Sequence, residues 1–218
     1  MPKRRVIKRG GKRRRRRKQR KAEQQAPRRV DKCLVPWAGD MVAAGMVKEF
    51  VLKTGCKAVV ETGTYKGATT KWFASLGLPV HTIEKNPEFL SVARARLAGV
   101  PGTTVYEGSS DAVLPLILPL VPRPTLFFLD AHWEDYWPLK DELRLIAESG
   151  MTDARLIIHD CAVPGRGDLQ ANIAKDVTLD FEMISADVGA IYQGPYHVSY
   201  NDGSPPNSPG IVFVEPPP

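Results

Sequence analysis

Long apolar runs are missing from the 218 residues. No stretch approaches the roughly 18 apolar residues that a transmembrane helix needs. The first residues carry no apolar core of a secretory leader, and neither the serines nor the amphipathic pattern of a transit peptide. The expected location is therefore cytoplasmic, or nuclear in a eukaryotic host. Cysteine is scarce. Cys33, Cys56 and Cys161 are odd in number and far apart. They suit a reducing compartment and exclude both a disulfide framework and a cysteine zinc cluster. No internal repeat is visible.

Charge is present in quantity but unevenly placed. The formal balance of +7 hides an arm and a body of opposite sign. Residues 1–30 hold 16 Lys/Arg and one acid, Glu23, while the remaining chain holds 15 Lys/Arg against 23 Asp/Glu. Self-repulsion and the lack of apolar residues predict a disordered basic arm over 1–30. The domain is expected over 31–218, with a short proline-rich tail at 216–218. The cations of residues 3–29 suit nucleic acid through counterion release, a nuclear address, or an anionic membrane surface. No aromatic residue interleaves them, so base stacking is not supported.

Beyond the arm, short apolar runs alternate with helical patterns. Strands are expected at 56–62, 79–84, 103–107, 125–130 and 154–160. Helices are expected from Asp40 to Lys53, over 67–76, from Asn86 to about Ala98, and over 111–118, 138–149 and 178–192. Asp40 and Asn86 are N-caps, Pro87 takes the first helical position, and Gly55 is a stop signal. Two last strands, 196–200 and 211–215, form a terminal hairpin. Fully apolar strands separated by helices predict an α/β protein, a Rossmann-like doubly wound sheet with helices on both faces.

In such a sheet, ligands lie beyond the carboxyl ends of the strands. The first strand ends in Glu61-Thr62-Gly63-Thr64-Tyr65-Lys66-Gly67. Two glycines four apart let backbone approach a ligand, or simply permit a tight turn and close helix packing. A G-x-G-x-x-G dinucleotide loop would need glycine at Tyr65, and Glu61 would crowd a pyrophosphate. An acid there suits a cationic ligand. Glu84 ends the second strand, placed for ribose hydroxyls or merely solvated. Ser109, Ser110 and Asp111 follow the third, as the rim of an adenine pocket or as a helix cap. Asp130-Ala131-His132-Trp133 ends the fourth and His159-Asp160-Cys161 the fifth. Asp130, after so apolar a strand, reads as a ligand for metal, cofactor or substrate. His159 reads as a packing or hydrogen-bonding residue within the fold, and the cysteines as small buried hydrophobes.

The runs ETGTYKG, EGSSD and LDAHWEDYWPLKDEL together resemble the class I S-adenosylmethionine-dependent methyltransferases. Among these the chain is most similar to the catechol O-methyltransferase-like group, over roughly residues 40–215. The resemblance implies a mostly parallel seven-stranded sheet whose last strand is antiparallel. It implies S-adenosylmethionine as cofactor, bound by Glu61, Gly63, Thr64, Tyr65, Gly67, Glu84, Ser109, Ser110, Asp130, His132 and Trp133. It implies O-methylation of a small-molecule acceptor, with Asp130 and Asp160 holding Mg²⁺ and orienting the acceptor. Cys161 stands where a third, oxygen ligand is usual, and Mg²⁺ does not favour sulfur. Glu134 replaces the family's lysine base and is the candidate base here. Two alternatives remain: a nucleic-acid methyltransferase that uses the arm, and a non-catalytic nucleic-acid-binding protein on this fold. The absence of an N/D-P-P-Y/F motif counts against an amino-methylating type.

Overall fold

The computed structural model describes residues 35–133 and 136–217. The basic arm and Glu134 lie outside the described residues. The first described helix, α1 (Met41–Thr54), begins where Asp40 accepts from the Val42 and Ala43 N–H groups at 2.9 and 3.0 Å. It ends at Gly55, in the left-handed conformation that glycine adopts without cost. The chain then alternates: β1 (Ala58–Thr62), α2 (Ala68–Ala74), β2 (Val80–Glu84), α3 (Pro87–Leu97), β3 (Thr103–Glu107), α4 (Ser110–Ile117), β4 (Thr125–Leu129), α5 (Leu139–Glu148), β5 (Arg155–His159). Asn86 caps α3, with Pro87 at its first position.

The later chain departs from the sequence reading. Residues 178–192 are not one helix. A small hairpin, β6 (Ile173–Ala174) with β7 (Val177–Thr178), ends at the first residue of that range, and residues 179–181 follow it outside any helix. The helix proper, α6, covers only Ser185–Tyr192, after a 3-10 turn at Glu182–Ile184. The reason is competition for backbone groups. Leu179 N–H donates to Asn172 O and Leu179 O accepts from Ala162 N–H, so neither joins a helix. The terminal pair, β8 (His197–Tyr200) and β9 (Ile211–Glu215), forms as expected.

The sheet order is β3-β2-β1-β4-β5-β9-β8. Only β9 runs against the others, antiparallel to both neighbours. The order reverses between β1 and β4, and that reversal opens a crevice at their carboxyl ends. Alternate residues of each central strand enter two cores. Val60, Phe127 and Leu156 pack with α4, α5 and α6. Val59, Leu126, Phe128 and Ile157 pack with α1, α2 and Trp37.

Candidate active site

Register places the strand-end residues in one row. Thr62 pairs with Ile83 and with Leu129, and Leu129 pairs with Ile158. The next residues (Gly63, Glu84, Asp130 and His159) therefore lie side by side along the crevice.

Glu61 is 1% exposed and points from β1 toward α2. Its Oε2 accepts from Thr82 Oγ1 at 2.6 Å and from Thr70 Oγ1. Its Oε1 is buried and has no partner among the described residues. Burial pushes the carboxyl up to about 8, against the pull of the two threonines. Glu84 is buried and clamped by backbone: Tyr65 N–H donates to Oε2 and Asn86 N–H to Oε1, each at 2.7 Å. The first of these ties the glycine loop to the end of β2.

The loop's glycines are demanded by protein contacts. Gly63 has φ +82°, and a Cβ there would stand 2.8 Å from the Asp130 carbonyl oxygen. At Gly67, φ +74°, it would meet Leu97 of α3 at 3.2 Å. Both glycines thus do the packing work that their spacing also allowed. Thr64 is buried, its hydroxyl 2.5 Å from that of Thr82. The Tyr65 ring packs against Phe89, centroids 4.4 Å apart. Trp133 is covered by Lys85, whose Nζ lies 4.2 Å from the ring centroid.

Ser109 occupies the N-cap position of α4 without a side-chain cap bond. Ser110 is buried beside Glu142 rather than open to the crevice.

At the β4–β5 end, His159 stands between two acids. Its Nδ1 lies 2.9 Å from Asp130 Oδ1 and 3.4 Å from Asp160 Oδ1. These are ionic contacts without the alignment of a hydrogen bond. Burial opposes the imidazolium, but the two carboxylates outweigh it and hold His159 well above its ordinary value. Burial also opposes the charge on Asp160, and His159 with His132 overcomes it, leaving Asp160 below the usual range. Asp130 is raised by burial in spite of His159.

Sequence placed the end of β5 one residue too late. His159, not Asp160, is level with Asp130, and Asp160 follows with its backbone in the left-handed region at φ +55°. Among the described residues, Asp130, His132 and Asp160 bring donor atoms within 4.8 Å of one another. Cys161 is not among them. It is fully buried in the core, where burial pushes its thiol up to about 12. It therefore fits the reading of a small buried hydrophobe.

Sequence reasoning passed over Glu142. It is 0% exposed, and burial pushes its carboxyl up to about 7. The signal was available: Leu139, Glu142, Leu143 and Ile146 form the buried stripe of α5, and an acid in an apolar stripe needs a reason.

No family model and no curated protein matches the chain. Solved structures do. An O-methyltransferase of Bacillus cereus, solved with SAH, is 19% identical with a TM-score of 0.54, over 79% of this chain and 80% of that one. A Staphylococcus aureus protein described as a caffeoyl-CoA O-methyltransferase is 17% identical with a TM-score of 0.56, over 80% and 83%. A Klebsiella pneumoniae protein described as an O-methyltransferase is 20% identical with a TM-score of 0.50, over 81% and 80%. The fold is that of the class I methyltransferases. On this methyltransferase fold, the row from Gly63 to His159 occupies the crevice at the reversal of strand order. Among the described residues no helix is long and apolar enough to cross a membrane.

Proposed function

We propose that the protein is an S-adenosylmethionine-dependent methyltransferase that acts on an oxygen nucleophile of a small molecule. The observation that carries this reading is Glu61. A buried carboxylate oxygen without a partner is costly unless a ligand completes it. It lies at the strand-order reversal, beside a glycine loop and a second buried acid, Glu84. That arrangement fits a cationic ligand bearing a diol. S-adenosylmethionine, when bound, supplies an activated methyl group next to a positive sulfur.

The chain's own residues do the rest. Glu61, which burial keeps protonated up to about 8 in the free protein, would release that proton to meet the cationic end of the cofactor as a carboxylate. Glu84 keeps lone pairs free for ribose hydroxyls, because backbone N–H groups fix its orientation. Gly63 and Thr64 form the floor, and Tyr65, His132 and Trp133 line the rim. Asp130 and Asp160 orient the acceptor oxygen toward the methyl group. Holding two reactants in line contributes about 7–11 kcal/mol to lowering such a barrier.

A divalent cation at Asp130 and Asp160 belongs to this proposal, and it would polarise the acceptor hydroxyl. Mg²⁺ fits the two carboxylates. A nitrogen from His132 would shift preference toward Mn²⁺ or Zn²⁺.

Calorimetric titration of the full chain with S-adenosylhomocysteine tests the cofactor. Micromolar binding that Glu84→Ala weakens supports the reading. Absence of binding by a folded sample rejects it.

The 16 cations of the arm favour a second role beside the first, tethering to nucleic acid. Deleting residues 1–30 should then abolish salt-sensitive polynucleotide binding and leave cofactor affinity intact. If the polynucleotide is itself the acceptor, deletion also abolishes methyl transfer to it.

A further inference from the structure

Glu142 has no part in the scheme above, yet its side chain is wholly shielded from solvent. The Ser110 and Thr62 hydroxyls lie beside its carboxyl, but neither oxygen accepts an aligned hydrogen bond from any described residue. Such a group is either a standing cost or half of a binding site.

Glu142 lines a cavity at the carboxyl ends of β4 and β5, together with Asp130, His159 and Asn172. Trp137 and Leu179 supply apolar wall, and no lysine or arginine lines it. The free volume is about 10 Å³, space for one water-sized group.

Three guests of that size can be compared. A metal ion would need convergent ligands, and Glu142 falls outside the side chains close enough to share one. An anionic group would meet two carboxylates, with His159 already committed to Asp130 and Asp160. A primary ammonium is the size of a water, carries three N–H donors and brings the missing positive charge. The cavity takes the ammonium alone, and the carbon skeleton behind it must lie outside, toward the crevice.

We infer that this cavity receives a primary ammonium group of the methyl acceptor. Glu142 is its counter-ion, so the substrate class is an amine-bearing small molecule. This deepens the methyltransferase reading and rests on it.

The test uses the full chain, with and without saturating S-adenosylhomocysteine. Three probes of like shape are titrated by calorimetry: 2-phenylethylammonium, 2-phenylethanol and phenylacetate. The ammonium should bind at least about tenfold more tightly than the alcohol, the range of a charge-assisted hydrogen bond, and phenylacetate should not bind. Glu142→Gln keeps the shape of the side chain and should erase that preference without changing S-adenosylhomocysteine affinity. Glu142→Asp, which retains the charge but withdraws it, should weaken the ammonium alone. Equal binding of the three probes, or a preference that survives in both variants, overturns the inference. Failure of S-adenosylhomocysteine to bind the wild type overturns the methyltransferase reading instead, and the two results are read separately.

Discussion

At the β1–β2 end of the crevice, the donors to Glu61 and Glu84 among the described residues are neutral: two threonine hydroxyls and two backbone N–H groups. At the β4–β5 end, Asp130 and Asp160 share a histidine, with a second one 3.8 Å from Asp160. One end holds buried acids bonded by neutral donors among the described residues, while at the other Asp130 and Asp160 carry their counter-charge built in. The two ends should therefore respond oppositely when a charge is removed. Neutralising an acid in the first relieves the free protein and harms binding. Neutralising the histidine in the second harms the protein itself.

The largest effect is expected at Glu61. Glu61→Gln should weaken S-adenosylmethionine and S-adenosylhomocysteine by about a hundredfold or more, since losing one member of a desolvated charge pair costs about 2–5 kcal/mol. The same variant should raise the melting temperature of the unliganded protein at pH 8. Native Glu61 retains its proton up to about 8, whereas the unfolded chain loses it near 4.5. The native state therefore binds more protons between those values, and stability falls as pH rises through that window. Melting curves from pH 5 to 9 should show a decline that Glu61→Gln reduces. A variant that lost stability at pH 8 would contradict the proposed cost of this buried acid.

Next in size is His159→Gln, which leaves Asp130 and Asp160 facing each other. Breaking a largely buried pair costs about 3 kcal/mol, read as a lower urea midpoint. The sign with pH is the same as at Glu61, because both values are raised in the native state, although burial opposes the shift at His159 and the two carboxylates produce it. The raised His159 value means its stabilisation is complete below about 6.5 and lost as pH climbs through the native value. The loss on substitution should thus be fullest at about pH 6.5 and below, while both acids stay ionised, and shrink as pH rises. Millimolar Mn²⁺ or Mg²⁺ should restore more stability to His159→Gln than to the wild type, if the paired acids hold a cation.

Why one end was legible and the other only in part follows from local rules. The β1–β2 end is written in contiguous residues. An apolar strand, an acid, two glycines and a second strand-end acid are all visible in order, as are the caps at Asp40 and Asn86. The β4–β5 end depends on strand register to within one residue, and an apolar run does not say where its pairing stops. His159 and Asp160 exchanged places for that reason. The hairpin at Ile173–Thr178 has two-residue strands and a Lys175-Asp176 turn in left-handed conformation. It has neither the length nor the glycine that marks such turns. Glu142 belongs to a pattern of residues three and four apart, where attention to the leucines hides the acid among them.

A mutation at the junction of the two ends sharpens the comparison. Gly63→Ala puts a methyl against the Asp130 carbonyl and asks alanine to hold φ +82°. The left-handed conformation costs about 1–2 kcal/mol, and the contact adds to it. The expected loss is about 2 kcal/mol in stability with a several-fold loss in S-adenosylhomocysteine affinity. Because the clash is on the backbone of Asp130, the acceptor end should be disturbed through the cofactor end. Loss of stability with unchanged binding would confine Gly63 to packing.

The smallest effect separates two readings of Cys161. As a ligand beside Asp160, its removal would alter metal dependence. Its burial argues otherwise: the side chain is fully enclosed, and its thiol, pushed up to about 12, stays protonated at any working pH. Among the described residues its Sγ is not one of the donor atoms that converge with those of Asp130, His132 and Asp160. The backbone of Cys161 is also fixed, donating to Gly210 O at 3.0 Å. A Cβ on Gly210 would strike the Cys161 carbonyl, so the two segments are packed as closely as backbone allows. Cys161→Ala should therefore cost about 1 kcal/mol by leaving a small void. It should leave the metal titration of methyl transfer unchanged. A shifted metal requirement with intact stability would return Cys161 to the site and require β5 to end differently.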